Sequence, residues 1–181
     1  MHRPVIAIRR AEPADASDLV ALSTAVGKEA GDWLLTTDTW RSTADERRYL
    51  RTVRRHPDAA VFVAVDGDRI VARLSVARDP HPASAHVADL GLIVASGDRR
   101  RGIGRRLLDT AVTWADGAGI RKLELHVFPW NTPAIRLYET YGFVREGHRR
   151  GHYRRDDADV DALLMAYHLP SEPESPPSRA P

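Results

Sequence analysis

The sequence predicts an α/β fold in which a single domain carries one mixed sheet flanked by helices. Three observations point to it. Between Leu90 and Phe143 a strand passes into an arginine- and glycine-rich turn, an amphipathic helix, another strand and a second helix. Ahead of it, two β-rich runs are joined by Asp66-Gly67, a strong hairpin signal. Two helical patterns precede that hairpin and a pair of strands follows, so the order after those helices is ββ–βα–βα–ββ.

Residues 5–9 alternate enough for a first strand. Glu12-Pro13-Ala14-Asp15 has the residue types of a helix start, and the helix runs to about Lys28. Residues 29–39 are irregular and carry Trp33, with Trp40 just beyond. Residues 45–55 form a charged helix with Tyr49, Leu50 and Val53 on its apolar side, ended by Pro57. The hairpin strands are 60–65 and 70–77, and 86–94 is the next strand. Residues 102–118 are helical, with Ile103, Leu107, Leu108, Ala111, Val112, Ala115 and Ala118 on one stripe, stopped by Gly117 and Gly119. In strand 122–127, Leu123, Leu125 and Val127 face one way, and Lys122, Glu124 and His126 the other. Thr132-Pro133 opens a short helix that ends at Gly142. Strands 143–150 and 160–167 close a domain spanning 1–169, and the Pro/Ser-rich residues 170–181 lack apolar content and read as a disordered tail.

The 181 residues are 43% hydrophobic, enough for one substantial core, and contain no cysteine. Disulfides, thiolate metal sites and a cysteine nucleophile are thereby excluded. No apolar run reaches membrane-spanning length, and the N-terminal apolar stretch is too short for a secretory signal, so a cytoplasmic protein is expected. Lys28 and Lys122 are the only lysines, and the arginines cluster at 99–101 with 105–106 and at 149–150 with 154–155. No nucleic-acid motif accompanies these clusters, so nucleic acid is not an expected partner. His148 and His152 lie on an expected strand and do not share the helical face that zinc motifs use, so no metal is expected.

The turn Arg99-Arg100-Arg101-Gly102-Ile103-Gly104-Arg105 leads from a strand into a helix. The unpaired N–H groups of a first helical turn and the aligned peptide dipoles favour an anion there, pyrophosphate above all. Glycines at 102 and 104 remove the Cβ atoms that would keep such an anion away. A Rossmann site is disfavoured, because position 107 is Leu rather than the third glycine and the turn sits mid-chain.

Two motifs in order, Arg99-x-x-Gly102-x-Gly104 and Asn131-x-x-Ala134-x-x-x-Tyr138-x-x-x-Gly142-Phe143, resemble those of the GNAT superfamily of acyl-CoA-dependent N-acetyltransferases. The resemblance implies a GNAT-like domain with a mixed, mostly antiparallel sheet of six to seven strands and about four helices. It implies acetyl-CoA as co-substrate, a primary amine as acceptor (a small molecule or a protein N-terminus), and direct transfer in a ternary complex. The backbone of Leu92, Ile93 and Val94 would pair with the pantetheine arm, one N–H polarising the thioester carbonyl. The pyrophosphate would sit on the amides of Arg100, Arg101, Gly102, Ile103, Gly104 and Arg105, with arginine charge, Arg99 included, adding attraction. Asn131 would bond the cofactor or its loop, with helix capping a compatible role.

Tyr138 would be the general acid that reprotonates the thiolate. His126 stands where some members that acetylate protein N-termini carry a catalytic glutamate, and is a candidate base. Glu124 on the same strand face and Asp89 on the preceding strand are alternatives, and ordered water can relay the proton. The family shapes its acceptor site from the first two helices, their loop and the final strands. Glu29, Asp32, Trp33 and Asp38 would there suit a cationic amine, and Arg150, Tyr153 and Arg154 a carboxylate. Amino acid, polyamine, aminoglycoside and protein N-terminus stay open as acceptors, and dimers are common in the family. The alternative is a GNAT-like sensor that holds acyl-CoA without turnover, against which Tyr138 argues.

Overall fold

The computed structural model describes residues 6–31, 33–34, 41–155 and 157–170. Its strands are β1 (Ala7–Arg10), β2 (Ala59–Asp66), β3 (Arg69–Arg78), β4 (Val87–Val94), β5 (Lys122–Val127), β6 (Val144–Arg155) and β7 (Ala158–His168). They form one sheet in the order β1-β2-β3-β4-β5-β7-β6. Every neighbouring pair is antiparallel except β4–β5. That one parallel contact needs a crossover, which α3 (Ile103–Gly117) supplies. The other helices are α1 (Ala16–Gly27), α2 (Thr43–Arg55) and α4 (Thr132–Tyr141).

The two faces of the sheet are covered differently. On one, Ile103, Leu107, Leu108, Ala111 and Ala115 of α3 press on Ala72, Leu74, Ala88, Leu90, Leu123 and Leu125, joined by Ile135 and Tyr138 of α4. Leu107 and Leu108 are fully buried, each contributing roughly 1.5–3 kcal/mol. On the other face, Leu19 of α1 and Leu50 and Val53 of α2 cover Val61 and Val63 of β2. Under α2 lies a buried ion pair, Arg73 Nη1 to Glu46 Oε1 at 2.9 Å. The Ser42 hydroxyl caps α2 by accepting from Asp45 N–H at 3.1 Å, and Arg54 and Arg55 sit in its last turn, where the dipole favours cations.

Several boundaries differ from the sequence expectation. β1 ends at Arg10, and Val5 lies outside the described residues, as do 171–181 of the expected tail. The hairpin pairs Val65 with Ile70 and Asp66 with Arg69, so its two-residue turn is Gly67-Asp68, with Gly67 at φ 62°. Only glycine takes that conformation without strain, which fixes the turn one residue later than Asp66-Gly67 suggests. The closing hairpin is longer than expected. Irregularities in its register between Arg145 and Gly147, and between Arg149 and Tyr153, carry β6 on to Arg155. A bulge absorbs extra residues without ending the ladder, so the strand continues through 151–155, past its expected end at 150.

Candidate active site

β4 pairs with β3 from Ala88 to Val94 but with β5 only over Val87, Ala88 and Asp89. Beyond Asp89 and Glu124 the two parallel strands part, opening a fork in the sheet. His86 C=O accepts from Arg121 and Lys122 on the β5 side, whereas Ala95 N–H donates to Val71 C=O on the β3 side. Bonding direction alternates along a strand, so the main-chain groups of Leu90, Leu92 and Val94 face the open edge. Those of Gly91 and Ile93 face β3. Of the expected trio, Leu92 and Val94 therefore offer backbone to the open edge, and Ile93 also lines the cleft.

The open edge borders a cleft of about 980 Å³, lined also by the 96–105 turn, the N-terminal part of α4, and Trp33 and Leu34. Within the turn, Arg100 has φ 59° and Gly102 φ 76°. A Cβ on Gly102 would meet nothing within 4 Å, so the open space expected there exists. Gly104 lines the cleft beside Gly102, and a Cβ there would lie 2.8 Å from Leu137 Cδ2, so this glycine also lets α3 approach α4.

The arginines of the turn divide by partner. Arg99 grips Glu29 with both terminal nitrogens at 2.8 Å, and its Nε donates to Val94 C=O at 3.1 Å. Glu29, expected to bind substrate, is thus engaged by Arg99. Arg101 turns away from the cleft to Asp66 at 2.8 Å and to Asp98. Arg100 and Arg105 line the cleft, and Arg105 also lies over the Tyr141 ring at 5.5 Å.

Asn131 Oδ1 accepts from Ala134 N–H at 3.3 Å, capping α4, and the residue also lines the cleft. The cap is thus formed at a position that borders the cleft. Tyr138 lines the cleft from α4 and is only 5% exposed. Burial, then the charge of Asp89, holds its phenol well above the ordinary range. The group therefore stays protonated at neutral pH and can donate a proton.

The candidate bases stand on the opposite face, beside the fork. Asp89 is reached by solvent, yet the walls around it leave it poorly hydrated. That desolvation, with Glu124 adding like charge, pushes its carboxyl up to about 6. Glu124 is held by Lys122 Nζ at 2.6 Å, and Lys122 also takes Glu146 at 2.6 Å. His126 Nδ1 is 3.2 Å from the Tyr153 hydroxyl, its Nε2 is buried without a hydrogen-bond partner among the described residues, and its ring lies 5.3 Å from that of His152. Burial, then Arg149 and His152, keep His126 below the usual histidine value, hence neutral at pH 7.

The expected carboxylate readers fall differently. Arg154 pairs with Asp159 at 3.6 Å, and Arg150 is exposed near Asp161. Arg149 is paired in register with Ala162, and its charge reaches Asp89, His126 and Tyr153. Asp32, Asp38 and Trp40 lie outside the described residues. Trp33 lines the cleft. Arg136, Leu137 and Thr140 also line the cleft. The one-turn ladder from Pro133 through Arg136 and Leu137 to Thr140 could have revealed them. His148 pairs with Asp161 at 2.7 Å, and no group of three metal-ligating side chains gathers among the described residues. None of the described helices is long and apolar enough to cross a membrane.

Comparison with known proteins agrees with this geometry. The chain is 36% identical over 107 residues to the L-amino acid N-acetyltransferase AaaT of Escherichia coli K12, covering 59% of this chain and 65% of that protein. It is 38% identical over 68 residues to the [ribosomal protein bS18]-alanine N-acetyltransferase of the same organism, covering 38% of this chain and 46% of that protein. The chain thus spans less than two thirds of the length of these curated relatives. An acetyltransferase of the GNAT family from Streptococcus pneumoniae superposes with a TM-score of 0.82 at 26% identity, over 92% of this chain and 100% of that one. yncA of Salmonella typhimurium, solved with its cofactor acetyl-CoA, gives a TM-score of 0.81 at 18% identity over 94% and 98% of the chains, a likeness of fold alone. The family model described as "Acetyltransferase (GNAT) family" matches residues 28–143, which span the cleft, its arginine–glycine turn and α4, and the chain belongs to that family.

Proposed function

We propose that this chain transfers an acetyl group from acetyl-CoA to the α-amino group of an acceptor, directly, in a ternary complex. The observation that carries the reading is the fork. One main-chain edge of β4 is left open beside a turn of αL backbone and arginine, and Tyr138 and Asp89 approach it from opposite faces. The relatives named for an L-amino acid and for a ribosomal-protein alanine support an α-amine as acceptor. Such an enzyme would work in the cytoplasm, where its donor is made.

The residues present fit an acyl-CoA. Leu92 and Val94 would hold a pantetheine arm by their backbone, and the Arg100–Arg105 amides and arginines its phosphates. When bound, acetyl-CoA supplies the activated acetyl group as a thioester. Asp89 accepts the proton of the acceptor ammonium, a task for which a carboxyl near 6 is suited at neutral pH. His126, neutral beside it, is a second acceptor within the same group of side chains. Tyr138 delivers a proton toward the cleft, where the leaving sulfur would lie. A buried phenol keeps that proton until it is needed.

Thiol release from acetyl-CoA over a panel of amines tests the reading. Tyr138→Phe should lower kcat about a hundredfold or more, while calorimetry still detects acetyl-CoA binding. Binding with no thiol release on any amine, in the wild type as well, would favour the sensor.

A further inference from the structure

Asp89 and Arg149 bring opposite charges to one side of the fork, and neither is neutralised there. Arg149 has His152 Nε2 at 3.4 Å and no carboxylate at ion-pair distance among the described residues. Asp89 likewise has no cation at that distance, its neighbours being Glu124 and the backbone N–H of Leu90. The two do not pair with each other, yet the charge of Arg149 reaches Asp89, His126 and Tyr153 alike.

Neighbouring arginines are occupied elsewhere. Arg145 holds Glu139 at 2.9 Å, Arg73 holds Glu46, and Arg155 donates to Leu34 C=O at 2.6 Å while covering Phe128. The register explains why Arg149 is the one that faces Asp89. Glu124 pairs with Ala166 and His126 with Leu164 across β5–β7, and Arg149 pairs with Ala162 across β7–β6. Positions 162, 164 and 166 share one face of β7, so Arg149 stands on the same side of the sheet as Glu124 and His126.

We propose that the acceptor is a free α-amino acid, its ammonium held at Asp89 and its carboxylate at Arg149. The proposal rests on the acetyltransferase reading above and narrows its acceptor. A carboxylate and a guanidinium on one face of the sheet, near enough for the charge of Arg149 to act on Asp89 yet not paired, would be bridged by a ligand carrying both complementary charges close together. Each contact would be charge-assisted, at about 2.8 Å. A protein N-terminus brings the ammonium but only a neutral amide toward Arg149, and a polyamine brings a second cation that Arg149 repels. Of the acceptors named for the two curated relatives, the amino acid is the one that satisfies both groups.

The test compares L-amino acids, their α-amides and alanine-initiated peptides as acceptors, with wild type, Arg149→Gln and Arg149→Lys. In the wild type kcat/KM for acids should exceed that for amides by about tenfold to a hundredfold, mainly through KM. Arg149→Gln should bring the acid-to-amide ratio close to one, and Arg149→Lys should restore part of it. Equal rates for acids and amides in the wild type, or a ratio untouched by Arg149→Gln, would overturn the assignment and leave the acetyltransferase reading intact. No transfer to any of the three acceptor classes would overturn both.

Discussion

Asp89 offers the sharpest check on the chemistry of the fork. An ordinary aspartate titrates at 3.8, whereas desolvation and Glu124 push this one up to about 6. If Asp89 takes the acceptor's proton, kcat/KM is full above about pH 7 and falls as pH drops through the folded value. At pH 5 a group titrating at about 6 is about one-tenth ionised, against more than nine-tenths for one at 3.8. Initial rates of thiol release from pH 4.5 to 9 should therefore show a tenfold loss at pH 5. Asp89→Asn should lower the plateau by about 10²–10⁴ and abolish that acid limb. Glu124→Gln removes the like charge and should move the limb to lower pH. Arg149→Gln removes a cation that favours ionised Asp89 and should move it to higher pH. His126→Gln should leave the limb in place. A wild-type limb near pH 4, or one that survives Asp89→Asn and disappears in His126→Gln, would refute the reasoning.

Further outcomes follow from packing and charge. Gly104→Val sets a Cβ 2.8 Å from Leu137 Cδ2, and should cost about 1–3 kcal/mol in denaturant melts. Adding Leu137→Ala should recover part of that loss, a coupling that distant sites would not show. Glu46→Ala removes the carboxylate from the buried Arg73 guanidinium and should destabilise by about 3–5 kcal/mol, read as a lower Tm. Glu29→Gln weakens the hold on Arg99 and should raise KM for acetyl-CoA more than it lowers kcat.

Local signals in the sequence were strong where backbone geometry dictates residue type. The period-two run of β5 and the 3.6-residue stripe of α3 correspond to observed elements, and Lys122–Val127 coincides with the expected strand. Side-chain pairing across the fold was not legible. Glu29 and Arg99 are 70 positions apart, and only folding joins them, so each was expected to serve a ligand. Arg101 sits among the same basic residues as Arg100, but its direction depends on Asp66 in a distant hairpin. On β6 an exposed strand carries no apolar alternation, and its register irregularities decide which arginine faces the fork. That is why Arg150 and Arg154 were expected where Arg149 stands. Glycine at 104 shows the same limit: nothing in the local sequence reveals that its missing Cβ also makes room for Leu137.

The arginine–glycine turn is moored at both ends. Arg99 fastens it to Glu29 at the end of α1 and to the last carbonyl of β4, while Arg101 fastens it to the β2–β3 hairpin through Asp66. Those contacts form when the chain folds, so the entropy of shaping the turn is lost then rather than on ligand capture. If the turn holds phosphate as proposed, one moored in this way would need little rearrangement to receive it. The guanidiniums that hold it are separate from Arg100 and Arg105, which remain on the cleft side to supply attraction.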